Sequence, residues 1–415
     1  MDEAEAPLTI RQNMIWNSLG SMVNLGCQWL LSVLMVRFAG GYEAAGAYSL
    51  AMAVYGIFAP IAQYRMYTYQ VSDVTNENTT GEYLAFRFVT DALAFLSVAV
   101  YTLATCDQSS WGIILLFSIY KIVATIIDVL HACDQRNHRM DYIGKSLALQ
   151  GVISLAVFCV LFIGTQSLEF TFFGMTVGIL AIAVVYDLPR ARQFGTIVPR
   201  ISIRKTLRLL VRCLPIVLAG IAVSATPSIP RQYLSNAFGE SALGVYSSVA
   251  APVAIIQMGA SYIYNPLMGY FSERYAECDK KGFMRLFASS SCAIALIGLA
   301  CAIGLAIFGE PLLVLVFGES IRSYAYLLLP LVAFAFLTGF SWFLNDLLIA
   351  LRSFRAATTA GIVGFVAMLA SVVPVVDAYQ LAGVTYVGFI SVGASTLYML
   401  FAVMLLLRSK WGPVS

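Results

Sequence analysis

Twelve apolar runs of about 20 residues, separated by short polar breaks, dominate the 415-residue chain. Their limits lie near 13–36, 44–65, 84–105, 111–132, 146–165, 169–187, 209–235, 242–270, 284–307, 323–350, 355–376 and 381–407. A helix rising about 1.5 Å per residue needs about 20 apolar residues to cross the ~30 Å hydrocarbon core of a bilayer. The pattern therefore predicts an all-α, polytopic membrane protein with about twelve transmembrane helices. The stretch "PLLVLVFG", 311–318, is too short to cross and is expected at an interface. Composition closes off the soluble alternative: 60% of residues are hydrophobic and 11% charged, against about 25% charged in soluble domains. A net charge of +3 gives no reason to expect a nucleic-acid partner.

Lys and Arg set the orientation, because cytoplasmic ends and loops carry the excess. With the N-terminus inside, twenty-one of the 25 basic residues fall on inner ends and loops. Arg37 and Arg322 fall outside, and Lys121 and Arg231 fall within spans. Both termini are thus expected in the cytoplasm, in a cell (inner or plasma) membrane. The acidic start "MDEAEAPLTIRQ" lacks a basic n-region, so no cleaved signal peptide is expected.

Little in the chain points to catalysis. The eight cysteines form no C-x-x-C pair and read as small apolar residues. Only two histidines occur, His131 and His138, both next to a basic turn. No Ser-His-Asp set, paired carboxylate site or phosphate-binding glycine loop stands out, and every expected outer connection is short. No metal, cofactor or ATP is expected, and no enzyme activity.

"AAGAYSLAMAV", from Ala44, resembles "ALGVYSSVAAP", from Ala242. Gly46, Tyr48 and Ser49 match Gly244, Tyr246 and Ser247 at one constant offset, each opening the second span of a six-span half. Six is even, so the halves share an orientation, and a parallel repeat of this kind is a transporter layout. The expected division is an N-lobe over 1–187, a basic cytoplasmic linker over 188–208 and a C-lobe over 209–415.

Four features carry a family resemblance. They are the stretch opening with the polar first span, Asn13 to Val54; "YRMYTYQVSDV", Tyr64 to Val74; "DVLHACDQRNHRMDYIGKS", Asp128 to Ser146; and the 6+6 organisation. In these the chain resembles the polysaccharide flippase branch of the multidrug/oligosaccharidyl-lipid/polysaccharide exporter superfamily. The resemblance implies two six-helix lobes in a V around a central cavity, working by alternating access. It implies a lipid-linked oligosaccharide as substrate, with polysaccharide assembly proteins as partners. The drug-exporting branch shares the fold, and members that flip peptidoglycan precursor commonly carry two more spans.

Charges inside spans mark the candidate site, since each is costly unless partnered or used. In "YKIVATIID", Lys121 and Asp128 are seven residues apart on one face, roughly 10 Å along the axis at 1.5 Å per residue. The antiparallel third span offers Arg87 and Asp91. A ladder of Arg87 with Asp128 and Asp91 with Lys121 would neutralise all four charges. Lys121 is open to two roles: a rung of that ladder, or contact with an anion. Arg65 is either an inner-end anchor or a diphosphate contact. Arg231, following Pro227 and Pro230 that should loosen its helix, is either an outer-interface anchor or an anion contact. Asn13, Asn17, Asn24 and Gln28 form one stripe on the first span, which suits interhelical hydrogen bonding or a wet wall contacting sugar. Asp346 is expected in a local cap or an ion pair with Arg352.

The expected function is flipping of a polyprenyl-diphosphate-linked oligosaccharide from inner to outer leaflet for surface polysaccharide assembly. Arg65, Lys121, Arg231, Asn17, Asn24 and Gln28 are the expected substrate contacts. Arg87, Asp91 and Asp128 would form the ladder or couple H+ or Na+. The alternatives are a cation-coupled multidrug exporter, favouring an acidic and aromatic cavity, and a membrane glycan-processing enzyme.

Overall fold

The computed structural model describes residues 8–73, 77–253, 264 and 267–411. Among these no strand occurs, and eleven helices are long and apolar enough to cross a membrane. The chain is an all-α, polytopic membrane protein. The middle of the eighth expected span, 254–263 with 265 and 266, lies outside the described residues.

The chain separates into two compact units, Met1–Ser224 and Ala225–Ser415. The first begins with α1 (Ile10–Ala39), α2 (Glu43–Gln63), a short α3 (Met66–Val71) and α4 (Thr80–Thr105). It continues with α5 (Trp111–Arg136), α6 (Met140–Thr165), α7 (Leu168–Ile182), a π-helical turn (Ala183–Asp187) and α8 (Leu188–Ala191). The long α9 (Ile203–Phe238) leaves the first unit and enters the second. The second unit holds α10 (Glu240–Ala250), α11 (Met268–Ala276), α12 (Lys280–Phe317), α13 (Leu328–Ala350), α14 (Phe354–Tyr379) and α15 (Leu381–Trp411).

Helix starts follow local chemistry. Thr9 with Gln12, and Thr79 with Glu82, form reciprocal capping boxes at α1 and α4, satisfying amides that have no intrahelical partner. Gly40 ends α1 at φ 68°, a left-handed turn that glycine makes without steric cost. Large apolar side chains such as Leu96, Val160 and Leu315 stay exposed along the helices. A bilayer is the environment that suits such faces.

Glycines fix the closest helix pair in the first unit. A Cβ on Gly20 would lie 2.1 Å from the Gly144 carbonyl oxygen, and one on Gly144 would lie 2.2 Å from that of Trp16. One turn pair further on, a Cβ on Gly151 would lie 2.8 Å from Asn24 Cα. The backbones of α1 and α6 therefore touch, as small residues permit in membranes. The core beside them is aromatic: Phe117 meets Tyr48 edge-on at 5.6 Å and Phe172 at 5.4 Å. The second unit centres on Phe343, ringed by Tyr264, Phe271, Phe287 and Phe340. The repeated tyrosines are both buried, Tyr48 in α2 and Tyr246 in α10.

Three expectations change. Residues 311–318 are no separate interfacial segment: α12 runs through Pro311 to Phe317, because the residues on either side keep enough helical bonds to carry the one lost at proline. Likewise α9 is continuous through Pro227 and Pro230. Asp346 forms no ion pair with Arg352; it accepts hydrogen bonds from the Tyr264 hydroxyl at 3.0 Å and from Asn345.

Candidate functional site

A small, partly open cavity lies in the first unit among five helices. Its polar wall comes from Asn24 and Gln28 of α1, Lys121 of α5, and Gln150 and Ser154 of α6. Tyr48, Tyr120, Met175 and Ile179 complete it. The contact at Gly151 lays α1 directly on α6, so Asn24 and Gln150 share the same wall. Gln28 Nε2 donates to Asn24 Oδ1 at 2.8 Å, and the Tyr120 and Ser154 hydroxyls pair at 3.3 Å. The Asn24 amide nitrogen and the Gln28 carbonyl oxygen keep hydrogen-bonding capacity for a guest.

Lys121 is half-buried. Its ammonium lies 5.4 Å from the Phe117 ring centre and 5.2 Å from that of Tyr120. Among the described residues no carboxylate lies within 4.0 Å of it. The expected ladder is not formed, on either rung. Asp91 instead accepts from the Thr125 hydroxyl at 2.8 Å, and buried Arg87 donates to the Ala62 carbonyl. Helical side chains lean toward their own N-terminus. In antiparallel α4 and α5, groups at matching depth therefore lean apart. Lys121 tips toward Phe117 and Tyr120, away from Asp91. Arg87 tips toward the end of α2.

That displacement gives Arg87 a different task. The chain turns left-handed at Tyr64 (φ 45°) and Arg65 (φ 56°), breaking the helix between α2 and α3. Arg87 and the Thr90 hydroxyl both donate to the Ala62 carbonyl, which the break leaves short of a helical partner. Arg65 itself is exposed at the start of α3.

The α1 stripe divides. Asn13 is structural: its side chain donates to the Leu8 carbonyl at 3.1 Å and accepts from the Met140 amide at 2.8 Å. Asn17 is half-buried beside Gly144. Asn24 and Gln28 alone reach the cavity. Arg231 is half-buried in the second unit, facing Tyr246, and Asp128 is half-buried on α5. Sequence reasoning missed Gln150 and Ser154. Their signal was spacing: both are polar, one turn apart, in an otherwise apolar run. The site combines one lone cation with amides, hydroxyls and aromatic faces, a set suited to an anion carrying hydroxylated groups.

No family profile matches the chain. A capsular polysaccharide biosynthesis protein, CapF, of Staphylococcus aureus is 24% identical over 316 residues, covering 74% of this chain and 77% of CapF. The lipid II flippase MurJ in an inward closed conformation superposes with a TM-score of 0.77 at 10% identity, covering 95% of this chain and 90% of MurJ. An inward-facing multidrug resistance MATE family transporter of the MOP superfamily gives 0.69 at 14% identity, covering 97% of this chain and 100% of the transporter. The chain shares the all-helical, multi-pass fold of these two transporters.

Proposed function

We propose that the protein is a transporter that flips a polyprenyl-diphosphate-linked oligosaccharide from the inner to the outer leaflet, by alternating access, for surface polysaccharide synthesis. The observation that carries this reading is Lys121, a cation with no acidic partner among the described residues, set in a cavity walled by amides and hydroxyls. A lone cation recruits an anion, and the amides of Asn24, Gln28 and Gln150 match sugar hydroxyls. The names of CapF and MurJ, a capsular polysaccharide biosynthesis protein and a lipid II flippase, support the substrate class. Arg65, Asn17 and Arg231 would add contacts along the path, and Asp91 or Asp128 could couple H+ or Na+. Both termini would be cytoplasmic in the cell membrane. Moving negative charge outward from a negative-inside cell releases about 2.3 kcal/mol per charge per 100 mV, so ATP is not required. Aside from its fold the drug-exporter alternative is less well served, because no carboxylate among the described residues lines the cavity.

Reconstitution tests the reading. In liposomes holding a fluorescent polyprenyl-diphosphate sugar, the protein should expose inner-leaflet probe to an outer-leaflet quencher. Lys121→Gln should stop this with the protein still inserted. Arg65→Lys and Arg231→Lys should recover only part of what Arg65→Gln and Arg231→Gln lose, since lysine lacks the bidentate fork. Transport of a cationic drug instead of the lipid-linked sugar would turn the assignment to the drug-exporter branch.

A further inference from the structure

A second polar cluster lies in the first unit, among residues outside the Lys121 cavity. α5 carries Asp128, His131 and Asp134 at three-residue spacing along its last turns. The π-helical turn that follows α7 brings Asp187 against them, with His131 Nε2 3.4 Å from Asp187 Oδ1. All three of His131, Asp134 and Asp187 are sealed from solvent, at 3%, 0% and 1% exposure. Neither carboxylate oxygen of Asp134 has a hydrogen-bond partner, nor does either oxygen of Asp187.

The surrounding cations make their direct contacts elsewhere, and Arg139 acts on Asp134 only at longer range. Arg139 grips Asp141 with two bonds, at 2.9 and 3.0 Å, and Lys145 adds a third contact to that carboxylate at 3.5 Å. Arg190 donates to the Tyr186 carbonyl at 3.0 Å and lies over that ring. Arg136 donates to the Asp73 carbonyl, and Arg87 to that of Ala62. Asp128 faces His131 and adds negative charge, while Asp141 does the same toward Asp134. The other titratable neighbours are Tyr67, Cys133 and Tyr186.

One imidazole thus stands against two buried carboxylates that share no other cation. Two carboxylates in one site cannot both stay ionised cheaply, and an unpaired buried charge is the costly state. We propose that His131, Asp134 and Asp187 form a proton-binding site. Asp187 holds the protonated imidazole, and Asp134 and Asp187 share one further exchangeable proton. Hydronium delivers that proton to a carboxylate oxygen and leaves as water, so one O–H bond breaks and one forms. Asp187 sits in the π turn, and such turns recur at functional sites. Whether the shared proton is present sets how strongly that turn is tied to α5. The site does not depend on what the protein carries, so its test is separate from that of the flippase reading.

The full-length protein has only two histidines, which makes the site readable. With His138→Gln, the ring nitrogens of isotope-labelled His131 are the sole imidazole signal in the purified protein. Coupled groups each leave a step in a neighbour's titration. On titration of this protein with acid, the His131 signal should move in more than one step, and Asp134→Asn should remove one of them. Asp187→Asn is the second variant, used where Asp134→Asn fails to fold, and should likewise remove a step. Asp134→Glu should keep the full number. A single-step curve in the His138→Gln protein overturns the site, as does a step count untouched by the Asn substitutions.

Discussion

Lys121→Met should make the protein more stable while abolishing transport. The magnitude follows from what surrounds the ammonium. Removing an ion from water without a counter-ion costs several kcal/mol in real proteins. Half-burial and the open side of the cavity reduce that cost. The Phe117 and Tyr120 rings, at 5.4 and 5.2 Å, return about 0.5–1 kcal/mol each. The balance is unfavourable by roughly 1–3 kcal/mol. Methionine has similar length and no charge, so it should recover that amount. For a unit of 224 residues, 1 kcal/mol moves Tm by about 2–4 °C, so a rise of a few degrees is expected. Thermal unfolding of the detergent-solubilised protein, followed by tryptophan fluorescence, reads it. A fall in Tm of several degrees would refute the reasoning, because it would mean that an acid holds Lys121. Conversely, higher stability with lost flipping would show that this cation is kept for the anion and not for the fold.

Three further outcomes test other parts of the structure. Gly144→Ala should lower Tm, by about 1–3 kcal/mol or more for overpacking, because the new Cβ meets the Trp16 backbone at 2.2 Å; Gly26→Ala, with nothing within 4 Å, is the control and should be harmless. Asp73→Asn should destabilise by about 1–3 kcal/mol, since the carboxylate accepts from the Glu77 and Asn78 amides and the Tyr83 hydroxyl. Burial pushes the Asp73 carboxyl up, but those three bonds and Arg136 outweigh it and hold the group below its ordinary 3.8. A depressed value stabilises the fold above the unfolded pKa, so the Tm gap between Asp73 and the Asn variant should shrink as pH falls below about 4; a constant gap would contradict this. Finally, in a cysteine-free background, an impermeant thiol reagent added outside should label cysteine at Gln108 or Gly239 and miss Arg200 or Lys280, and labelling at Arg200 would reverse the orientation.

The spans were legible because length and apolarity alone decide whether a helix can cross a bilayer. The cavity wall was half legible. Asn24 and Gln28 are one turn apart on an apolar helix, and that spacing names a face without any partner. Gln150 was overlooked because what makes it a wall residue is the backbone contact between Gly151 and Asn24, a pairing of two distant segments. Of the two roles open to Lys121, the ladder rung is not formed for a geometric reason. Depth along antiparallel helices can be counted from the sequence, but side chains at equal depth lean opposite ways. A rung drawn level on paper is therefore splayed in space, and neither Arg87 nor Lys121 makes a direct ion pair with the acid assigned to it.

Asp187 fails the same kind of counting more deeply. Its face on the sixth span cannot be read from a period of 3.6, because the turn Ala183–Asp187 is π-helical and holds more residues per turn. That turn carries Asp187 onto α5 beside His131. Two histidines next to a basic turn look alike in sequence. Only His138 has a left-handed loop backbone, at φ 56°. His131 lies two turns earlier in α5, shut away from water at 3% exposure. The distinction rests on where α5 ends, and helix ends are set by caps and turns more than by apolar periodicity. A buried imidazole between two unpartnered carboxylates costs stability for no gain in packing. Phenylalanine or leucine would fill the same space without that penalty, so packing alone does not account for these three groups.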